Sequence, residues 1–211
     1  MWTIELFQNG CKEIVSADLT FSALKLTRKR CDVYGVKACF AQQNAERLAF
    51  KDGVFSHVNC LGVIHHTPDT RACIREITRV LKNGGIATIS LYYRNMFLRV
   101  WPILKWVGKL LAKAGAGLSG RGRENIYALD DINEIVRMYD GKENPIGKCY
   151  NRLEFTRMVA HYFEIKEMFI HFFPSRTLPF KLPKKLHQIL DRKLGFMIYA
   201  TLKKTSNDIT A

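Results

Sequence analysis

Two adjacent histidines, His65 and His66, sit in the stretch CLGVIHHTPD at residues 60–69, directly after an apolar segment and directly before REITRVLKNGG. Residue types of this kind support three chemistries. With Cys60 they offer nitrogen and sulfur donors to zinc, but a zinc site needs further ligands at fixed spacing, and the sequence shows none. One imidazole could take a proton from a hydroxyl or carbon acid, which makes His65 and His66 the candidates for a general base. The third reading places them at the lip of a ligand pocket, one lining it and the other packing or capping, and this is the reading adopted. Asp69, after Pro68, is read as the cap of the helix that follows.

The elements that must position these residues alternate between strand and helix signals. EIVSAD (13–18) reads as a strand ending in an acid, and LTFSALKLTRKRCDVYG (19–35) as a helix stopped by Gly35. VKACFAQQ (36–43) is the next strand, NAERLAFKDG (44–53) a polar turn, and VFSHVNCLGVI (54–64) a buried strand that leads to the histidines. A helix is predicted from Pro68 to Lys82, broken by KNGG, with IATISLYY (86–93) as the following strand. Strands separated by single helices imply a parallel, doubly wound sheet.

The second half reads differently. A helix is predicted over 95–115, a loose polar stretch over 116–147, a helix over 151–163 and a strand over 164–173. A Pro- and Lys-rich connection then leads to a last strand at 195–204. The segment GAGLSG satisfies GxGxxG through Gly115, Gly117 and Gly120, but it follows a lysine-studded helix rather than a strand, so it is read as a plain loop.

The chain of 211 residues is 47% hydrophobic and 25% charged, ordinary values for a globular protein. Its six cysteines are scattered without metal spacing, the start lacks the basic flank and apolar run of a secretory signal, and no run of about 18 apolar residues occurs. A cytoplasmic protein with reduced thiols is expected. The net charge of +14 is concentrated late: residues 1–93 hold 12 Lys+Arg against 8 Asp+Glu, and residues 94–211 hold 21 against 11. Residues 94–123 carry seven Lys+Arg and no acid, with Lys105, Lys109 and Lys113 stacked on one helix face. Two expectations follow for this segment. It is either a cap helix with a solvated lysine stripe or an amphipathic helix on an anionic membrane surface, with Trp101 and Trp106 at the headgroup boundary.

The strand closing on Asp18, the NAE turn, the strand into GVIHHTPD and the REITRVLKNGG block together resemble the class I S-adenosylmethionine-dependent methyltransferases, of the methyltransferase type 11 kind. The resemblance covers residues 3–93 and returns at 139–173, with Asn83 standing where that family usually has proline. It implies an α/β, Rossmann-like doubly wound sheet with a helical cap insertion. Residues 1–93 would form the cofactor-binding core, 94–147 the cap, and 148–211 the closing helix and strands. The family's first strand and glycine-rich loop would precede TIELFQNG, where only Met1 and Trp2 stand, so the core is expected to be N-terminally incomplete.

The resemblance also implies S-adenosylmethionine as cofactor and assigns residues to it. Asp18, followed by Leu19, would accept from the ribose hydroxyls, the alternative being a plain helix-capping acid. Asn44 and Ala45 stand where the family has Asp-Ala against the adenine. Cys60 and Leu61 would approach the methionine part through backbone groups, with His65 beside them. The expected function is methyl transfer to a small-molecule or lipid-like acceptor. A non-catalytic binding remnant and an RNA-directed methyltransferase are the alternatives, and nucleic acid is the less favoured partner because no RNA-binding module is recognisable.

Overall fold

The computed structural model describes residues 2–113, 126–141, 143–173, 175 and 181–205. GAGLSG therefore lies outside the described residues. The chain divides into two compact units, residues 1–50 and 51–211. The boundaries expected after residues 93 and 147 both fall inside the second.

In the first unit, helix α1 (Trp2–Gln8) precedes strand β1 (Val15–Asp18), helix α2 (Phe21–Val33) and strand β2 (Cys39–Gln42). β1 and β2 run parallel, with Asp18 opposite Gln42. Ile4, Cys31 and Val36 form a small core, with Phe7 and Phe40 packed against it. The residues that follow turn back at once, through an isolated bridge between Asn44 and Arg47.

The second unit is built on one long strand. β3 (Phe55–Leu61) pairs parallel with β4 (Leu81–Tyr93), and α3 (Thr70–Val80) is the crossover between them. β7 (Met197–Lys204) pairs antiparallel with the other edge of β4, and β6 (Phe163–His171) antiparallel with β7. The short β5 (Cys149–Tyr150) pairs parallel with Tyr92 and Tyr93, at the end of β4. Side chains from one face of β4 and β7, among them Ala87, Ile89, Leu91, Ile198, Ala200 and Leu202, are buried. α3 contributes Ile74, Ile77 and Val80 to the core, and α7 (Arg152–Val159) contributes Phe155 and Val159.

Several expectations are corrected here. α3 ends at Val80 rather than Lys82, and β4 already begins at Leu81. The KNGG residues form an irregularity inside the strand, where the register jumps from Phe55↔Leu81 to His57↔Ile86. Gly84 takes φ +71°, a backbone state that L side chains rarely adopt. The helix predicted over 95–115 is two helices, α4 (Met96–Arg99) and α5 (Trp101–Lys113). Pro102 explains the break, because it has no N–H to continue the α4 ladder and fits only in the first turn of a new helix.

The stretch 116–147 is not uniformly loose, for it contains α6 (Ile132–Asp140), capped by Asp131 accepting from the Asn133 N–H. Ile132, Ile135, Val136 and Tyr139 recur at helical spacing, a signal the polar neighbours hide. The connection before the last strand likewise contains α8 (Lys184–Leu194). A second core gathers these pieces: Tyr92, Leu98, Trp101, Ile126, Ile135, Val136 and Cys149 are buried together. Among the described residues, no helix is long and apolar enough to cross a membrane.

Phe155 is the largest fully buried side chain among the described residues. Phe155→Ala is expected to lower the unfolding free energy by about 3–5 kcal/mol, read from urea unfolding curves. A loss under about 1 kcal/mol would show that α7 is not part of the core.

Candidate functional site

The candidate residues fall in both units, and each group has its own local frame. In residues 1–50 the site residues lie where two parallel strands end. Asp18 closes β1, and its Oδ1 accepts from the Thr20 N–H at 2.9 Å and from the Thr20 hydroxyl at 3.0 Å. This is an Asx turn rather than a helix cap, since Thr20 itself is the N-cap of α2. No hydrogen bond among the described residues reaches Oδ2, and the residue is exposed. The carboxylate is thus oriented through one oxygen and leaves the other as a free acceptor.

Leu19 is exposed beside it, and its carbonyl accepts from the Gln42 side chain at 2.9 Å. The Gln43 N–H donates to the Asp18 carbonyl at 2.9 Å, which brings the end of β2 against the Asp18 turn. Asn44 follows directly. Its Oδ1 accepts from the Glu46 N–H at 2.9 Å, so one lone pair shapes the turn and the other remains. Ala45 is half-buried within that turn.

In residues 51–211 the frame is the end of β3. Cys60 and Leu61 are the last strand residues, paired with Ile89 and Ser90 of β4. Gly62 then turns the chain with φ +75°, and its N–H is held by the Ser90 hydroxyl at 2.9 Å. Burial, followed by the neighbouring Cys73, pushes the Cys60 thiol up to about 12. A thiol so raised is almost wholly protonated at neutral pH.

Ile64–His66 form one turn of 3-10 helix. His65 is only 1% exposed, with its ring 4.3 Å from Tyr92 and 4.1 Å from His66. His66 is half-buried, and its Nδ1 lies 2.7 Å from the Ile146 carbonyl. A carbonyl can only accept, so we assign the proton to Nδ1, which makes Nε2 the basic nitrogen. Asn144 Nδ2, itself a donor, lies 3.0 Å from the same Nδ1 and competes with this assignment, which the shorter contact to the Ile146 carbonyl decides. Of the two, His65 has the environment of a packing residue, whereas His66 has a fixed tautomer and partial exposure.

A network that the sequence did not reveal holds this turn. The Lys148 N–H donates to the His65 carbonyl at 3.0 Å. The Tyr150 hydroxyl donates to Thr70 Oγ1 at 2.8 Å, and Thr70 Oγ1 donates to the Ile64 carbonyl at 3.0 Å. Thr67 Oγ1 donates to the same carbonyl at 2.8 Å. Residues 144–150 therefore close over residues 64–70, about eighty positions earlier in the chain. Gly147 permits this, because a Cβ there would sit 2.6 Å from the α6 backbone at Arg137.

Asp69 caps α3, accepting from the N–H groups of Arg71 and Ala72 at 2.9 and 3.0 Å. The Ala72 N–H first, then that of Arg71 and the Arg75 guanidinium, hold its carboxyl below the usual value. A depressed carboxylate adds stability above its unfolded pKa, and this is lost as pH falls through the folded value. Asp69→Ala is expected to cost about 0.5–2 kcal/mol at neutral pH, with the gap from the parent narrowing below about pH 4. Thermal melts across that range check it, and a gap that stays constant into acid would exclude the ionised cap.

Residues 2–89 match the family described as Methyltransferase domain. The chain is 25% identical over 155 residues to the ubiquinone/menaquinone biosynthesis C-methyltransferase of Shewanella woodyi, an alignment covering 69% of this chain and 59% of that protein. It therefore spans less than two thirds of the length of the Shewanella relatives it matches. An uncharacterised Synechococcus protein is 31% identical over 86 residues, 40% of this chain and 21% of its own length. Among solved structures, an S-adenosylmethionine-dependent methyltransferase of Methanosarcina mazei superposes with a TM-score of 0.63 at 19% identity, covering 97% of this chain and 87% of the other. The YcgJ protein of Bacillus subtilis gives 0.57 at 16% identity, covering 95% and 86%. Residues 2–89 thus carry the methyltransferase-domain match, and the chain shares its fold, along nearly its whole length, with solved S-adenosylmethionine-dependent methyltransferases.

Proposed function

We propose that the chain transfers a methyl group from S-adenosylmethionine to a small-molecule or lipid-like acceptor. The observation that carries this reading is Asp18, an exposed carboxylate at a strand end whose Oδ1 is tied down by Thr20 while Oδ2 remains open. An acceptor-only group of this kind suits a pair of ribose hydroxyls, which are donors. Strand ends are also where open α/β sheets take their ligands.

The cofactor's contribution is a methyl group activated on a sulfonium centre. The chain's own residues bind and orient. Asp18 and Leu19 receive the ribose, and the remaining lone pair of Asn44 Oδ1 accepts from the adenine amine, with Ala45 giving an apolar contact. Catalysis of this type is mainly alignment of the acceptor with the methyl group in the absence of water. Where the acceptor must lose a proton, Nε2 of His66 is the candidate base, because the Ile146 carbonyl keeps the proton on Nδ1. A lipid-like acceptor is supported by relatives named for ubiquinone/menaquinone biosynthesis.

Asp18→Ala removes hydrogen bonds to a charged group, each worth about 1.5–3 kcal/mol. Calorimetry with S-adenosylmethionine should therefore show affinity at least roughly tenfold weaker. The circular dichroism spectrum should not change, since among the described residues the side chain bonds only Thr20. Asp18→Asn should fall between the two. A dissociation constant unaffected by Asp18→Ala would refute the ribose role.

A further inference from the structure

The face of α4 and α5 turned away from the core is apolar. Ile103, Trp106, Val107 and Leu110 follow the spacing i, i+3, i+4, i+7, and they are 69%, 62%, 48% and 69% exposed. Met96 and Val100 carry the same row back through α4. Single exposed apolar side chains are ordinary on a soluble protein, but a contiguous row of this size marks a contact surface.

The opposite face of α5 is committed to the core. Trp101 is buried, stacks on Tyr127 at 5.9 Å and donates from Nε1 to the Leu129 carbonyl at 2.9 Å. Gly108 lies so close to Tyr127 that a Cβ would meet the ring. This corrects the expectation that both tryptophans lie at a headgroup boundary, because only Trp106 is free to do so. It also divides the lysine row. Lys105 is half-buried and ion-paired with Asp130, while Lys109 stands 4.9 Å over the Trp106 ring and Lys113 is exposed in the last turn.

The charge carried by α4 and α5 themselves is of one sign, with Asp130 from outside them paired to Lys105. Residues 94–113 contain Arg94, Arg99, Lys105, Lys109 and Lys113, and no acid. α8, which ends on α4 through the bond from Asn95 Nδ2 to the Leu194 carbonyl at 3.2 Å, is also basic, and its one acid, Asp191, is buried. It exposes Leu186 and Ile189 among Lys184, Lys185 and Lys193.

We infer that the α4–α5 face docks the protein on an anionic membrane surface, with Trp106 and Leu110 in the acyl–headgroup boundary and Lys109 and Lys113 against the headgroups. A helix with large apolar residues on one side and cations at their margin has the make-up of an interfacial helix, and anionic lipid supplies the opposite charge. A second copy of the chain would set like charge against like, in a molecule of net charge +14. Single-stranded nucleic acid is bound by stacked aromatic rings in a basic groove, whereas this row is mostly aliphatic. The inference stands apart from the methyl-transfer reading: docking can fail while cofactor binding persists, and the reverse.

The test uses the full chain with vesicles of equimolar phosphatidylglycerol and phosphatidylcholine. The protein should sediment with them at low ionic strength, release as salt rises, and ignore vesicles of phosphatidylcholine alone. Its tryptophan emission should shift to the blue on binding, and the shift should vanish in Trp106→Phe. The double variant Trp106→Asp, Leu110→Asp should bind at least about tenfold more weakly, with an unchanged melting temperature and unchanged affinity for S-adenosylmethionine. Lys109→Gln with Lys113→Gln should flatten the salt dependence. Absence of sedimentation at low salt overturns the inference. So does undiminished vesicle binding by the folded aspartate variant, or a concentration-dependent dimer, seen by light scattering, that this variant abolishes. Salt-dependent binding of single-stranded RNA, without vesicle binding, overturns it in favour of a nucleic-acid surface.

Discussion

The backbone ladder on both edges of β4 is the constraint from which residues 51–211 take their form. A parallel strand on one edge can be reached only through a crossover, and α3 is that crossover. The antiparallel strand on the other edge, β7, comes from the far end of the chain and brings β6 with it. Because β4 is enclosed by neighbours, Leu81, Ala87, Ile89 and Leu91 can be apolar without cost, and the helices that bring Ile77 and Phe155 complete the core. The end of β3 is fixed by the same ladder: Leu61 pairs with Ser90, and the Ser90 hydroxyl then holds the N–H of Gly62.

From that fixed point the polar network around the histidines follows. The Ile64–His66 turn has carbonyl groups that no regular ladder satisfies, and buried polar groups need partners. Thr67 and Thr70 both donate to the Ile64 carbonyl, the Lys148 N–H donates to that of His65, and the Tyr150 hydroxyl supports Thr70 from behind. β5 is only two residues long, yet its pairing with Tyr92 and Tyr93 is what delivers Ile146 to His66 and Tyr150 to Thr70. The tautomer of His66 is thus set by a carbonyl far away in sequence. Chemistry assigned to His66 depends on that pairing as much as on the imidazole.

The helices after β4 show how one element can serve two environments. α5 buries Trp101 and Leu104 against the core that includes Ile126 and Val136, and leaves Ile103, Val107 and Leu110 uncovered. Asn95 secures the start of this region, capping α4 at Leu98 and reaching the Leu194 carbonyl at the end of α8. α4, which leads into α5, and α8 therefore meet at one fully buried amide.

Much of the architecture was legible from the chain alone, because its signals are local. Period-two and continuous apolar runs marked β1 to β4, β6 and β7, and Asp69 after Pro68 marked the start of α3. The family resemblance rested on the same local blocks, and it led to the class that the comparisons also found. What was missed depends on partners distant in sequence. α6 and α8 lie in polar surroundings and owe their order to packing against Phe196, Met197 and β6, which no window along the chain contains. The roles of the two tryptophans and the three lysines could not be told apart by helical spacing. Spacing places residues on a face, but only the packed structure decides which face meets Tyr127 and Asp130 and which meets solvent. For the site, the sequence by itself determined the groups present: the carboxylate of Asp18, the amide of Asn44 and the imidazoles of His65 and His66. Which atoms remain available at Asp18 and Asn44 was also settled locally, by bonds to Thr20 and Glu46 two residues on. Tertiary structure alone decided it for the histidines, because the Ile146 carbonyl, eighty residues away, meets His66, and burial encloses His65.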